Sequence, residues 1–374
     1  MRQSESIDVL VIGGGVAGLA TAWHLARRGR RVVVVEREAA VFRRSSGVNA
    51  GILRAVVEDA SIAGVAAAGA RALLAPDSEL SRESFVDPVG VFLGADREDA
   101  AQHLEAMVRL SNVFVRRVDP AVVRARAPHV ATAMIAAWES PQEGVIDLER
   151  LAASLVLALE RRGGGVRTSA RVERLLTSGT RVCGARLASG EELEAHTVVL
   201  AAGGWAHLLA RSAGSPVVLQ PTRRHAALLV TSAPIDARCP IVWNTGTSFY
   251  SRPLRGGLLV CDCDQTDVDP ETAGVDASAV VHLERSVREH VAAPWNDGRL
   301  DPWIGLRTFA GDHRFAIGRD PVLDGLVWAA ALGGHGITCG LEVGRLATCA
   351  VLGEDDDALA ALDPARAAHG LMHR

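Results

Sequence analysis

Residues 7–36 decide the fold, and they read IDVLVIGGGVAGLATAWHLARRGRRVVVVE. Alternating apolar residues at the start predict a short buried strand, which three consecutive glycines end. Gly13, Gly15 and Gly18 have the spacing of the dinucleotide fingerprint, in which glycines permit a tight turn, close approach of the backbone to a pyrophosphate and close helix–strand packing. Glu36 ends the next predicted strand, 18 residues after Gly18, where a carboxylate can accept hydrogen bonds from ribose hydroxyls. The complete strand, turn, helix, strand and acid series favours a nucleotide-binding βαβ unit over a purely structural turn.

The composition is that of a folded protein that acts on small molecules. Of 374 residues, 48% are apolar and 22% are charged, with a net charge of −4, which indicates neither disorder nor nucleic-acid binding. The length allows two domains. All 40 basic residues are arginine, since the chain contains no lysine. The six cysteines form no CxxC pair, which favours a reducing, cytoplasmic location.

We expect neither a signal peptide nor a transmembrane segment. The N-terminus lacks a basic region followed by a continuous apolar run. The longest uncharged run, residues 326–341, is interrupted by glycines and by His335, which makes it a poor candidate for a membrane span.

Three further segments can approach the same nucleotide. The polar loop at residues 43–51 can place backbone amides beside a phosphate or a flavin ring, although an ordinary connection is an equal alternative. Residues 197–204, TVVLAAGG, end a strand in small residues, which suits either a bound nucleotide or tight packing. Residues 333–338, GGHGIT, form a second strand–glycine–helix junction, and its helix is predicted over residues 340–352.

The remaining pattern alternates between helices and β-rich segments. One continuous strand-like run is predicted over residues 166–176 and a second over 182–187, joined by a turn. The β-rich segments near residues 85–93 and 216–261 indicate a second sheet. The four aspartates of residues 262–269 lack the spacing of a calcium loop and favour a solvated turn, and the two cysteines of residues 261–263 are more typical of packing than of a metal site. We therefore predict no metal.

Taken in order, these pieces resemble the FAD-dependent amine oxidoreductases, a family that includes glycine oxidase, D-amino-acid oxidase, sarcosine oxidase and related amino-acid dehydrogenases. The resemblance covers essentially the whole chain and rests on the βαβ unit and on SSGVNAGILR, VVLAAGGWA, FYSRP, WIGLRTF and LVWAAALGGHGIT. It implies noncovalent FAD, with the flavin ring beside the loop at residues 46–53 and the GGHGIT junction. The implied cofactor contacts are Gly13, Gly15, Val16, Ala17, Gly18, Glu36, Arg37, Arg44, Ser45, Ser46, Gly47, Asn49, Ala50, Gly51, Leu53, Val172, Ala202, Gly203, Trp205, Arg307, Gly333, Gly334, His335, Gly336, Ile337 and Thr338.

The same resemblance implies a substrate site. Arg307 matches the arginine that binds the substrate carboxylate, a role suited to a planar guanidinium; a surface ion pair is the alternative. Tyr250, the only tyrosine, matches a strand that lines the substrate pocket but could be plain core. Arg54 matches an arginine used in the sarcosine-oxidase branch and not in the glycine-oxidase branch. His335 completes the predicted catalytic set.

We predict an α/β protein with a discontinuous, Rossmann-like FAD domain (residues 1–82, 146–215 and 300–374) and a β-sheet-based substrate domain (residues 83–145 and 216–299). The expected reaction is oxidation of a carbon–nitrogen bond in a small amino acid or secondary amine, by hydride transfer to flavin N5. Oxygen, a quinone or another acceptor then takes the electrons. The alternatives are a 2-hydroxy-acid oxidoreductase of the same fold and a catalytically silent FAD-binding subunit.

Overall fold

A computed structural model describes residues 7–369 of the chain. Within this range the helices are α1 (Val16–Arg27), α2 (Ala60–Leu74), α3 (Glu98–Leu110), α4 (Pro120–Arg126), α5 (Leu148–Arg161), α6 (Ala206–Ser212), α7 (Ala277–His290), α8 (Gly336–Leu352) and α9 (Asp357–Leu362). The strands are β1 (Ile7–Ile12), β2 (Val32–Val35), β3 (Val86–Asp87), β4 (Val91–Ala95), β5 (Arg116–Val118), β6 (Ala136–Ser140), β7 (Val145–Ile146), β8 (Gly165–Arg167), β9 (Val172–Ser178), β10 (Arg181–Leu187), β11 (Glu192–Leu200), β12 (Gln220–Val230), β13 (Ile241–Asn244), β14 (Phe249–Leu254), β15 (Gly257–Cys261), β16 (Thr266–Asp267), β17 (Arg299–Phe309), β18 (Ala316–Arg319) and β19 (Leu326–Ala330).

The first sheet is built around β1, whose four C-terminal residues are buried. Its strand order is β18-β19-β11-β1-β2-β8, and the pairs from β19 to β8 are parallel. One face packs against α1, α2, α5 and α8. The other face packs against α6 and the β9–β10 hairpin. Burial of both faces is the usual arrangement for parallel strands.

Small residues let α1 and α8 pack closely. An ideal Cβ at Gly344 would lie 2.5 Å from the Cβ of Ala20, and one at Gly340 would lie 2.3 Å from a methyl carbon of Val16. Larger side chains would force the helices apart. Because α1 begins at Val16 and Gly340 lies in the second turn of α8, the two helix N-termini lie side by side.

The second sheet has the order β16-β12-β15-β14-β13-β4-β6-β5, with β17 paired to β12. Strand β17 crosses the domain boundary predicted at residue 300. It pairs with β12 along its whole length, from Arg299 opposite Val230 to Phe309 opposite Gln220. Sheet membership therefore groups residues 300–309 with the second sheet rather than the first. The division into two domains stays a prediction.

Two element boundaries differ from those predicted. The run at residues 166–176 is broken, because Ser169 has a positive φ of 53° and its N–H, like that of Ala170, bonds to the chain after β2. The run therefore splits into β8, in the first sheet, and β9, in the hairpin. Helix α8 begins at Gly336 rather than at residue 340, so the glycine-rich junction already forms its first turn.

Among residues 7–369, no single helix combines the length and the apolar composition of a membrane span. The segments Gly336–Leu352 and Asp357–Ala368, bent by 97°, meet both criteria only as a pair.

Candidate cofactor and substrate site

The structural reason for a glycine differs among the three positions of the first turn. Gly13 has φ +112°, and an ideal Cβ there would lie 2.4 Å from the carbonyl oxygen of Ala201. A Cβ at Gly18 would lie 1.9 Å from the carbonyl oxygen of Gly13. Gly15 has an ordinary φ of −81°, and its Cβ would meet only the side chain of Ser46, with the hydroxyl oxygen at 3.0 Å. Gly13 and Gly18 are thus required by packing, whereas Gly15 leaves open space at the start of α1.

Glu36 is 8% exposed and organises the turn. One carboxylate oxygen accepts a hydrogen bond from the N–H of Gly14 at 2.7 Å, and the other accepts one from the N–H of Glu38 at 2.8 Å. Two carboxylate oxygens offer about four acceptor positions. Capacity therefore remains for the ribose hydroxyls that the sequence predicts.

A cavity of about 290 Å³ opens beside Glu36. On its rim the guanidinium of Arg37 lies 4.6 Å from the ring centre of Trp205 and donates two hydrogen bonds to Glu271, at 2.9 and 3.1 Å. The predicted residues that line this cavity are Gly13, Gly15, Glu36, Arg37, Arg44, Ser45, Ser46, Val172, Ala202, Gly203 and Trp205.

A larger cavity of about 590 Å³ lies between the two sheets. The predicted residues that line it are Gly15, Val16, Ala17, Ser45, Ser46, Asn49, Ala50, Gly51, Arg54, Gly203, Tyr250, Arg307, Gly333, Gly334, His335, Gly336, Ile337 and Thr338. The two cavities share Gly15, Ser45, Ser46, Ala201 and Gly203.

This connected shape fits an extended dinucleotide such as FAD. Among the shared residues, Gly15 is the N-cap of α1 and Ser46 contacts the first residue of that helix, and the N-terminus of a helix attracts a pyrophosphate. The adenosine half of FAD would then occupy the smaller cavity, beside Glu36, and the flavin ring would occupy the larger cavity.

The loop at residues 45–51 is a defined structure, not a loose connection. The side-chain amide of Asn49 donates to the carbonyl oxygens of Ser45 and Ser46, and its oxygen accepts from the N–H of Gly51. From the second sheet, Arg252 donates from Nε to the carbonyl oxygen of Ala50 at 2.5 Å. These bonds fix the backbone that faces the larger cavity.

The first turn of α8 forms the opposite wall. Gly333 has φ +51°, and a Cβ at Gly334 would lie 2.7 Å from the guanidinium of Arg307. His335 is the N-cap residue but makes no capping hydrogen bond, so the first backbone N–H groups of the helix stay available. They can stabilise negative charge on a flavin ring. Cys339, one turn later, is fully buried and lines neither cavity.

Arg307 and Tyr250 reach the larger cavity from the second sheet. Among residues 7–369, the side chain of Arg307 forms neither a hydrogen bond nor a salt bridge, so the predicted alternative of a surface ion pair is not seen in this part of the chain. Burial, with the nearby charge of Arg224, lowers the pKa of Arg307. Tyr250 is 4% exposed, and burial raises its pKa, so its hydroxyl stays protonated.

Arg54 and His335 complete the predicted substrate end. The guanidinium of Arg54 lies 4.2 Å from the ring centre of Trp243 and donates to the carbonyl oxygen of Val56 at 2.9 Å. Burial lowers the pKa of His335 well below its ordinary value, and three neighbouring arginines lower it further. His335 is therefore neutral near pH 7.

The cavity also contains residues for which the sequence predicted no role, namely Arg224, Trp243, Cys263 and Gln265. Arg224 follows Arg223 within a strand whose second half, residues 226–230, is apolar. Since consecutive strand residues point to opposite faces, one of the two must face inward, and this signal could have identified it. Arg252, within FYSRP, likewise had no predicted role.

Three predicted cofactor residues line neither cavity. Gly18 packs against the turn, and a Cβ at Gly47 would lie 1.7 Å from the carbonyl oxygen of Phe42. Leu53 is fully buried in the core beside α2. These residues support the site through packing.

Comparison with known proteins yields a family and several relatives. The model of the family described as FAD dependent oxidoreductase matches residues 8–350. One subunit of the anaerobic glycerol-3-phosphate dehydrogenase of Escherichia coli (strain K12) is 32% identical over 233 residues, covering 59% of this chain and 42% of that protein. Glycine oxidase of Bacillus licheniformis is 25% identical over 381 residues, covering 92% of this chain and 93% of that protein.

A solved structure shares the fold. L-proline dehydrogenase from P. horikoshii superposes with a TM-score of 0.86 at 20% sequence identity, covering 99% of this chain and 100% of that chain. The match to the glycerol-3-phosphate dehydrogenase subunit spans about two fifths of that protein's length, 42%.

Proposed function

The chain belongs to the FAD dependent oxidoreductase family, and on this premise we propose that it oxidises the carbon–nitrogen bond of a small amino acid or secondary amine to an imine. The observation that carries the proposal is Arg307, an arginine without a salt bridge in the described chain, which lines a cavity beside the glycine-rich turn of α8. FAD, when bound, supplies the acceptor for the hydride that leaves the substrate carbon.

Arg307 orients the substrate through its carboxylate. A guanidinium binds a carboxylate by two parallel charge-assisted hydrogen bonds, which fix both position and direction. Tyr250 faces the same cavity with a protonated hydroxyl and can donate a further hydrogen bond to that group. Holding the reacting carbon in one orientation is the main contribution that the side chains can make.

The charge of the cavity selects the protonation state of the amine. Arg54, Arg224 and Arg307 all line it, and nearby positive charge disfavours an ammonium group. The substrate then binds as the neutral amine, whose nitrogen lone pair assists departure of the hydride. His335 is neutral and so does not change this preference for the neutral amine. No side chain has to remove a proton from the substrate carbon.

The relatives support this chemistry by what their names state. One is a glycine oxidase and another an L-proline dehydrogenase, so both act on an amino acid. Glycine carries a primary amine and proline a secondary one, which is why the proposal includes both classes.

An anaerobic substrate panel tests the proposal. The oxidised holoenzyme is mixed with glycine, sarcosine, proline, longer amino acids and the matching 2-hydroxy acids, and flavin bleaching is followed by absorbance. We expect rapid bleaching by at least one amine and formation of the corresponding oxo compound. Bleaching by hydroxy compounds alone would overturn the proposal.

The second candidate is oxidation of a carbon–oxygen bond in an anionic alcohol, such as a 2-hydroxy acid. The 32% identity to part of a glycerol-3-phosphate dehydrogenase favours it. The same panel separates the two candidates, because only the amine reaction releases ammonia or an amine when water hydrolyses the product.

A further inference from the structure

The larger cavity contains more positive charge than one carboxylate can balance. Arg54, Arg224 and Arg307 line it, and within residues 7–369 none of the three forms a salt bridge with a carboxylate. Arg54 donates to a backbone carbonyl oxygen. Arg224 donates from Nε to the carbonyl oxygen of Asp264 at 2.9 Å and from a terminal nitrogen to the amide oxygen of Gln265 at 3.4 Å.

Arg224 and Arg307 are neighbours on one face of the second sheet. Arg224 pairs with Gly305 on β17, and Arg307 pairs with Thr222 on β12. Paired residues share a face, as do residues two apart on a strand, so both arginines project from the same face. Such diagonal positions are separated by about 7–8 Å, close enough for the charge of Arg224 to contribute to the lowered pKa of Arg307. The arrangement favours bound anions.

The acidic residues nearby do not neutralise this pair. The Asp264 carboxylate is engaged by His225, through its backbone N–H and Nδ1, both at 2.7 Å. Two carboxylates line the cavity, but Asp59 is bound to Arg314 at 2.9 Å and the Glu58 side chain is 76% exposed. Neither carboxylate is available in the interior.

Two other titratable groups contribute to the charge balance of the larger cavity. Glu143 is close enough to Arg54 to oppose the lowering of that arginine's pKa by burial, so Arg54 already has a partial counter-charge. The Cys263 thiol lines the cavity, and its contact with Cys261 and then the arginines lower its pKa to about 7. Cys263 therefore supplies at most a fraction of one negative charge near neutral pH, which leaves Arg224 and Arg307 as the least compensated pair.

We propose that the substrate of this site carries two anionic groups, with Arg307 binding the carboxylate next to the reacting carbon and Arg224 binding the second. This inference rests on the amine-oxidising function proposed above and narrows it to dicarboxylic amines, either amino acids with an acidic side chain or amines that carry two carboxyalkyl groups. Two carboxylates would match the two uncompensated guanidinium groups one to one.

The test measures binding rather than turnover. Glutarate and butyrate, which differ by one carboxylate, are titrated into the oxidised holoenzyme at matched ionic strength and followed by the perturbation of flavin absorbance. Propyl phosphate is titrated as a third ligand, to test whether the site prefers a phosphate to two carboxylates. Because a charge-assisted bond is gained, we expect glutarate to bind about 10-fold to 100-fold more tightly than butyrate.

Variants of Arg224 test whether this residue binds the second carboxylate. In Arg224→Gln the preference for glutarate should fall to about 2-fold or less, with butyrate affinity nearly unchanged, because only the second carboxylate loses its partner. Arg224→Lys should retain part of the preference, since the charge remains. Arg238→Gln is the matched control, because Arg238 lies outside the cavity with its side chain 88% exposed, and it should retain the full preference. FAD content and melting temperature are measured for each variant, and Arg224→Lys decides the matter if Arg224→Gln does not fold.

Several outcomes would overturn the inference. They are equal binding of glutarate and butyrate, a preference that persists unchanged in Arg224→Gln, or tight binding of propyl phosphate with no preference for glutarate. Since the titration needs no turnover, a dicarboxylate preference without amine oxidation would refute only the proposed reaction, and amine oxidation without the preference would refute only this inference.

Discussion

The hydroxyl oxygen of Ser46 accepts a hydrogen bond from the backbone N–H of Val16 at 3.0 Å. This bond joins the loop after β2 to the first residue of α1, at the point where the two cavities meet. The same hydroxyl is the nearest atom to an ideal Cβ on Gly15. A small polar residue therefore lies beside the site that the dinucleotide fingerprint predicts for a pyrophosphate.

Gly15→Leu should abolish FAD binding while leaving the fold intact. Gly15 has an unstrained φ of −81°, so the substitution adds a side chain to the cavity without distorting the backbone. FAD content after purification and the far-UV circular dichroism spectrum measure the two effects. Gly64→Leu is the control, because a Cβ at this exposed position of α2 would have no neighbour within 4 Å. Stoichiometric FAD in Gly15→Leu would show that the pyrophosphate lies elsewhere.

Gly18→Ala should destabilise the fold and leave the FAD site open. A Cβ there would lie 1.9 Å from a backbone oxygen, and forced overpacking costs about 1–3 kcal/mol. We expect a lower melting temperature, measured with FAD in excess. A melting temperature equal to that of the wild type would contradict the assignment of Gly18 to packing.

Arg307→Met should reduce kcat/KM for the best carboxylate substrate by about 10-fold to 100-fold, the value of a lost charge-assisted hydrogen bond. FAD content should not change, and Arg307→Lys should recover part of the loss because it restores charge without the planar fork. Steady-state kinetics with a dye acceptor provide the measurement, and Arg238→Met serves as the control. If kcat/KM stays at the wild-type value, the carboxylate must bind elsewhere, with Arg54 the next candidate.

Glu143→Gln should stabilise the protein at pH 8 but not at pH 5. Burial raises the pKa of Glu143 from 4.5 to about 7, so between these values the folded state holds a proton that the unfolded chain releases. Stability contributed by this group is therefore lost as pH rises through that window, by about 3 kcal/mol at most. Gln keeps an acceptor for the N–H of Ala55, which Glu143 binds at 2.6 Å. Unfolding free energies at several pH values test this, with exposed Glu58→Gln as the control. Parallel wild-type and variant curves would disprove it.

Reoxidation of the reduced enzyme by oxygen should be slower than reoxidation by an artificial dye or a quinone. A fixed positive charge near the flavin stabilises the superoxide formed first, but the chain has no lysine. Burial keeps His335 neutral, Arg54 is held by Trp243 and Val56, and the two remaining arginines of the cavity, Arg224 and Arg307, are the ones that we assign to the anionic groups of the substrate. His335→Gln should show the same dependence of this rate on pH as the wild type between pH 6 and 8, because His335 does not titrate in that range. Mixing reduced enzyme with aerated buffer tests both expectations, and reoxidation as fast as substrate reduction, with stoichiometric hydrogen peroxide, would show an oxidase.

Most of the site residues predicted from the sequence line one of the two cavities. The residues around Gly13, the strand at Leu326–Ala330 and the junction at Gly333 carry their information in short segments, because a tight turn or a helix start depends on only a few neighbouring residues. The start of α8 was misplaced by four residues, since the glycines that appear to interrupt a helix instead form its first turn. Ser169 was missed because its positive φ is imposed by bonds to the chain after β2.

The sequence by itself determined the βαβ unit and the α/β class, because both follow from the spacing of glycines and apolar residues, and it supplied the residues that we predict to bind FAD and a carboxylate. Only the tertiary structure decided that Arg224 lies beside Arg307, that Arg54 stacks on Trp243 and that His335 is neutral. The register of β12 against β17 brings together two arginines separated by 82 intervening residues. Strand register and burial are properties of the assembled sheet, so the charge of the substrate cavity could not be read from any single segment.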